Sequence, residues 1–135
     1  KLIVGIEVIA TYANNNKTIL LFLPEGEHHE LGLLYLFYMV KNRDMQVLYL
    51  GSNVPFQDLE FVANLKIPYQ IFTHITSIPG RFNLEKFIQQ IQQRISPSIP
   101  FIISGRLAQS YTKKLPPNVI IKRSFTDLMT HIDSI

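Results

Sequence analysis

The 135-residue sequence contains no cysteine. That absence excludes disulfide scaffolds, thiolate zinc sites, iron–sulfur clusters and cysteine nucleophiles, and it fits a cytoplasmic protein. Charge is also scarce, at 17% of residues with a net charge of +3. The basic residues are scattered, with short pairs only at Lys113–Lys114 and Lys122–Arg123, whereas a nucleic-acid footprint is a dense stripe. No apolar run is long: the most apolar stretch, Leu31 to Val40, falls well short of the roughly 20 residues that cross a bilayer. Residues Lys1 to Gly5 lack the layout of a signal peptide. They also lack an initiating Met, so the chain is expected to be a piece of a longer protein. No repeat or low-complexity segment is visible. With 47% hydrophobic residues, the composition is that of one folded globular domain.

Apolar runs alternate with amphipathic ones. Leu2, Ile6, Ile9 and Ala13 share one side at helical spacing, which predicts a helix over 1–13 that the Asn14-Asn15-Asn16 run stops. Strands are predicted at Thr18 to Leu23, Gln46 to Leu50 (closed by Gly51), Tyr69 to Ile75, Pro100 to Ser104 and Val119 to Ile121. Helices are predicted from Leu31 to Asn42, from Pro55 through Phe56, Leu59, Val62 and Leu65, and after an Asn83 cap through Leu84, Phe87, Ile88, Ile91 and Ile95. A short helix is expected within Gly105 to Lys113. A last one follows Ser124, carrying Phe125, Leu128, Met129 and Ile132. Short connections and continuous apolar strands predict an α/β fold, a doubly wound five-stranded parallel sheet of flavodoxin-like, Rossmann-like type. Ligands in such folds sit beyond the carboxyl ends of the strands.

The strand-end loops exclude several occupants. The first reads Pro24-Glu25-Gly26-Glu27-His28-His29-Glu30-Leu31-Gly32, whose carboxylates would repel a flavin phosphate. G-x-G-x-x-G, needed for a dinucleotide, is absent. A phosphoacceptor receiver domain needs an aspartate at the end of the third strand, where Thr73-His74-Ile75 stands. What remains is an imidazole-rich acidic loop. Glu27 and His29 project to the same side of an extended loop, so Glu27 is placed to orient the His29 ring by its second nitrogen. Gly32 lets something approach the backbone closely.

Glu27-x-His29-x-x-Gly32 resembles the D/E-x-H-x-x-G motif of cobalamin-binding domains. Leu50-Gly51-Ser52-Asn53-Val54-Pro55 resembles the segment after the family's second strand. Thr73-His74-Ile75 stands where the family has serine, any residue, then leucine, and Ser104-Gly105 stands where it has two glycines. The run from Leu23 to Pro55 is similar to the C-terminal sensor domain of MerR-type transcriptional regulators that use cobalamin. The resemblance covers residues 18–135. It makes 1–13 the end of an upstream helical bundle and linker.

The resemblance implies adenosyl- or methylcobalamin as cofactor, with His29 as the metal ligand under cobalt in place of the cofactor's own benzimidazole. The freed nucleotide tail would enter a slot beside the sheet, with Glu27, Gly32, Thr73, Ile75, Ser104 and Gly105 as further binding residues. An imidazole ligates only when neutral, so binding should weaken in acid. The implied function is sensing rather than catalysis. Ligand state would control homo-oligomerisation and DNA binding through upstream bundle and DNA-binding domains, with no membrane involved. Corrinoid carrier subunits of methyltransferase systems share the motif, which gives an alternative. A degenerate structural or dimerisation domain that has lost the cofactor is another. The departures are Ser104 for a glycine, Thr73 for a serine, and Ser77 as the nearest counterpart of a supporting serine after the third strand.

The remaining polar groups are expected to be ordinary. His28 is a neighbour rather than a ligand, and His74 is a satisfied structural histidine at the pocket edge. His131, Glu25, Glu30 and the Lys122–Arg123 pair face solvent. Tyr35, Phe37 and Tyr38 belong to the core. A bare zinc or manganese site on Glu27 and His29 would need a third ligand from Glu30 or His74.

Overall fold

The computed structural model describes residues 7–9, 17–76 and 82–135. Continuous apolar runs form the strands. They are β1 (Glu7–Ile9), β2 (Thr18–Pro24), β3 (Gln46–Val54), β4 (Gln70–His74), β5 (Phe101–Ser104) and β6 (Val119–Ile121), and they make one sheet in the order β1-β3-β2-β4-β5-β6. Strands β2 to β6 are parallel throughout, and β1 adds an antiparallel edge on β3. The expected five-stranded parallel sheet is therefore present, with a sixth strand beside it. The helix predicted over 1–13 is corrected at Glu7–Ile9, which is a strand; the rest of that segment lies outside the described residues, as does Ser77.

Helices cover both faces. Helix α1 (Leu31–Lys41) and α4 (Phe125–Asp133) bury Leu33, Leu36, Met39, Val40, Leu128 and Ile132 against Ile19, Leu21, Leu23, Phe72 and Ile102. Helix α2 (Phe56–Lys66) and α3 (Leu84–Arg94) pack Leu59, Val62, Phe87, Ile88 and Ile91 on the other face, over Leu20, Phe22, Ile71, Ile75, Phe101 and Ile103. Caps fix the starts of two helices. Asn83 accepts a hydrogen bond from the Lys86 N–H, and Ser124 from the Asp127 N–H. Between Gly105 and Lys113, where a short helix was expected, the chain makes only a single 3-10 turn at Arg106–Ala108.

Two features set up the crevice at the carboxyl ends. The chain leaves β2 through α1 toward β3 on one side, and leaves β4 through α3 toward β5 on the other. The loops after β2 and β4 therefore part at the topological switch point. Strand β3 also does not stop at Gly51. It bulges, so that Leu21 pairs with Tyr49, Phe22 with Gly51 and Pro24 with Val54. Gly51 at φ 85° and Asn53 at φ 57° supply the left-handed turns that the bulge needs.

Phe22 is 1% exposed and sits at the centre of an aromatic cluster, edge-on to Phe101 at 5.9 Å and tilted toward Phe87 at 6.3 Å. Phe22→Ala should lower unfolding stability by about 3–5 kcal/mol, read as a lower denaturant midpoint at unchanged slope.

Candidate functional site

The loop after β2 turns on itself at once. The Glu27 N–H donates to the Pro24 carbonyl at 2.9 Å, with Gly26 at φ 94°. The β3 bulge then clamps this turn. Asn53 Oδ1 accepts from the Gly26 N–H at 2.9 Å, and the Asn53 N–H donates to the Glu27 carbonyl at 3.2 Å. This is the structural role of the Leu50-to-Pro55 segment: its left-handed residues swing Asn53 over the neighbouring loop.

The clamp drives the Glu27 side chain inward, where it is fully buried. Its Oε1 accepts from the Thr76 N–H at 2.7 Å, and its Oε2 from the His29 N–H at 3.1 Å and from His29 Nδ1 at 2.8 Å. The Thr76 hydroxyl donates to both oxygens at 3.3–3.4 Å. A carboxylate only accepts, so the neutral form of the His29 ring carries its proton on Nδ1 and its lone pair on Nε2. The His29 side chain is 65% exposed. One imidazole is thus held by its inner nitrogen, with its basic nitrogen at the rim of an open cleft.

That cleft has a volume of about 950 Å³ and lies between α1 and α4 at the carboxyl end of the sheet. Its walls are apolar: Leu31, Leu34, Tyr35, Tyr38, Phe125 and Leu128. Tyr35 and Phe125 face each other across it at 5.4 Å. His29, His74, Thr76 and Arg106 supply its polar groups. The expectation that Tyr35 and Tyr38 are core is corrected, since they are 51% and 61% exposed. Helix α1 is apolar on both faces, and only one of them meets the sheet.

His74 closes the cleft floor. Its Nδ1 lies 2.9 Å from the Ser104 hydroxyl, and its ring rests on Gly32. A Cβ on Gly32 would stand 2.8 Å from His74 Nε2 and closer still to Cδ2. What approaches the Gly32 backbone is therefore the chain's own imidazole. Burial lowers the His74 pKa below the usual imidazole value, against the opposing pull of the Glu27 charge, so the ring is neutral at neutral pH.

Thr73 and Ile75 are not part of this cleft. Ile75 packs in the α2/α3 core, and the two-residue period of β4 puts Thr73 on that same face beside Ile71. The Thr73 hydroxyl is buried without a hydrogen-bond partner among the described residues. The correction has a simple cause: the side chains at 72 and 74, not at 73 and 75, face α1 and α4. Gly105, at φ 102°, serves the crossing of strand ends. A Cβ there would lie 2.6 Å from the Ile75 N and nearer to its carbonyl.

Other expectations shift as well. Glu30 accepts from the Tyr49 hydroxyl at 2.8 Å instead of facing solvent. His131 Nε2 lies 2.9 Å from Gln70 Oε1, and its ring packs edge-on to Phe72. Arg123 is exposed, as expected, and its guanidinium donates to the carbonyls of Ala108, Gln109 and Tyr111, tying the loop after β5 to the start of α4. Glu25 is exposed, as expected, and so is His28. Among the described residues no three His, Asp or Glu side chains converge as a bare metal site, and none of the helices is long and apolar enough to span a membrane. The sequence reading missed Thr76, Arg106 and Phe125. A hydroxyl after the third strand and an aromatic opening the last helix were the available signals.

The corrinoid implied by the motif can be tested against these residues. Its axial end fits: an imidazole whose Nε2 faces away from the buried carboxylate that orients it stands at the mouth of an apolar cleft. Its tail slot does not fit, because His74 fills the space between Gly32, where a close approach to the backbone was expected, and Ser104, one of the small residues expected along the passage.

No family model and no curated protein matches the chain significantly. Solved structures do. A cobalamin-binding protein from Desulfitobacterium hafniense aligns over 88% of this chain and 58% of its own, with TM-score 0.66 and 15% identity. The methanol:cobalamin methyltransferase complex MtaBC from Methanosarcina barkeri aligns over 87% and 45%, with TM-score 0.67 and 15% identity. The anti-anti-sigma factor PhyR from Bartonella quintana aligns over 89% and 48%, with TM-score 0.56 and 15% identity. The chain thus spans about half the length of these proteins. At such identity the likeness shows a shared flavodoxin-like fold.

Two outcomes are expected from the site's packing. Glu27→Ala strips the Thr76 and His29 N–H groups of their acceptor and should cost about 2–3 kcal/mol in a denaturant melt, with Glu27→Gln milder. Gly32→Ala should cost about 1–3 kcal/mol in an otherwise native chain and far less in a His74→Ala background. A double-mutant cycle checks that coupling.

Proposed function

We propose that this domain binds a corrinoid, with His29 Nε2 as the lower axial ligand to cobalt and Glu27 holding the ring in aim. The observation that carries the reading is the 2.8 Å contact from His29 Nδ1 to a fully buried carboxylate, at the rim of an apolar cleft. A solvated loop histidine needs no such support, whereas a metal-ligating imidazole gains both orientation and basicity from it. Leu31, Leu34, Tyr35 and Phe125 offer apolar surface to the ring. Arg106 and Thr76 line the same cleft and offer hydrogen-bond donors to a ligand's amide side chains. Bound cobalt would supply an upper coordination position whose occupant reports on ligand state. The similarity to a structure described as a cobalamin-binding protein supports the assignment.

In this reading the domain senses and does not catalyse. It is the ligand-binding part of a MerR-type cytoplasmic regulator, whose corrinoid would bias homo-oligomerisation and so DNA binding by upstream segments. Such bias requires unequal affinity for the two assembly states. The second reading is a corrinoid carrier of a methyl-transfer system. It is favoured by the likeness to the methyltransferase complex. A phosphoacceptor role, suggested by the likeness to PhyR, has no support in the residues: Thr73-His74-Ile75 occupies the strand end where the acceptor aspartate belongs.

Titration with hydroxocobalamin and with aquocobinamide tests the reading. At least one should give an imidazole-ligated spectrum that co-elutes with the protein, and His29→Ala should abolish that spectrum and weaken binding by roughly 10–100-fold. Unchanged spectra and an unchanged melting temperature with both corrinoids would refute corrinoid binding, since a ligand of the native state raises the melting temperature.

A further inference from the structure

The tail slot is where this chain departs from the motif it carries. On the α1/α4 side of the sheet three positions converge below His29. They are Gly32 on α1, His74 at the end of β4 and Ser104 at the end of β5. Gly32 and Ser104 are small, and the space between them is filled by the His74 imidazole. The ring is fixed at both edges. One rests on the Gly32 backbone with no room for a methyl group between, and the other hydrogen-bonds through Nδ1 to the Ser104 hydroxyl at 2.9 Å. That hydroxyl also reaches the Thr73 carbonyl at 3.4 Å. Above this floor the cleft remains open and apolar.

We infer that the site selects corrinoid rings lacking the lower nucleotide over complete cobalamin, because His74 occupies the passage a displaced nucleotide would need. This rests on the corrinoid reading and deepens it. The selectivity has two physical sources. A complete cobalamin carries a tethered benzimidazole that competes with His29 for cobalt at high effective concentration. In a domain with an open slot, burial of the freed tail offsets that competition. Here the slot holds an imidazole already satisfied by Ser104, so evicting it breaks a hydrogen bond and its packing on Gly32, and the offset is lost. A ring without the nucleotide brings no competitor and needs no slot. His29 would then hold the ring with no tethered competitor.

The experiment compares aquocobinamide with hydroxocobalamin, titrated spectroscopically against the wild-type chain, His74→Gly and His74→Phe, with thermal melts confirming that each is folded. The wild type should bind aquocobinamide at least about tenfold more tightly than hydroxocobalamin. Opening the slot by His74→Gly should bring hydroxocobalamin close to parity, with its benzimidazole displaced. His74→Phe, which keeps a ring of similar size in the slot, should retain the preference. If His74→Gly does not fold, His74→Ala opens the same space and carries the same comparison. A wild type that binds both corrinoids equally through His29, or a preference untouched by His74→Gly, overturns the selectivity and leaves corrinoid binding standing. A wild type that binds neither overturns both.

Discussion

A single buried carboxylate organises the carboxyl end of this sheet. Glu27 sits on the loop after β2, takes donors from the residue that follows β4, and is itself held by the bulge that ends β3. Three strand ends are thereby joined at one residue, two through its side chain and the third through its main chain. Burying such a group is costly unless donors surround it, and the Thr76 N–H, the Thr76 hydroxyl, the His29 N–H and His29 Nδ1 are all donors. The same arrangement that makes the burial tolerable fixes the tautomer of His29. Structure and candidate chemistry therefore depend on one interaction, and the loop cannot lose the acid without losing the aim of the imidazole.

Much of this was legible in the sequence. Thr18 to Leu23 and Pro100 to Ser104 read as strands because both faces of a parallel sheet are covered and nearly every residue can be apolar. Asn83 and Ser124 read as caps because their side chains replace missing helical acceptors. Glu27 and His29 read as partners because two residues of extended loop put them on one side.

What was illegible follows from the same physics. A strand that is apolar on both faces gives no alternation, so nothing told Thr73 from His74 as the residue facing α1. The sequence favoured the small hydroxyl at 73, and the fold turned the imidazole at 74 into the cleft. A helix apolar all round likewise does not say which side meets the sheet, and Tyr35 and Tyr38 were assigned to the wrong one. Strand β1 is three residues long and exists by pairing with distant Val47 to Tyr49, a contact that no local pattern announces.

Both margins of the sheet are brief. Strands β1 and β6 have three residues each, against nine in β3, and β6 runs directly into Lys122 and Arg123. Long, flat, unpaired margins are what allow one sheet to continue into another, and short ones ending in cations discourage it. Association between copies of this domain through strand addition would therefore have little register to hold. The exposed apolar side of α1, with Leu31 at 82% and Tyr38 at 61%, offers far more area. That exposed side also lines the cleft, so whatever fills the cleft changes how much apolar surface this face of the domain leaves in water.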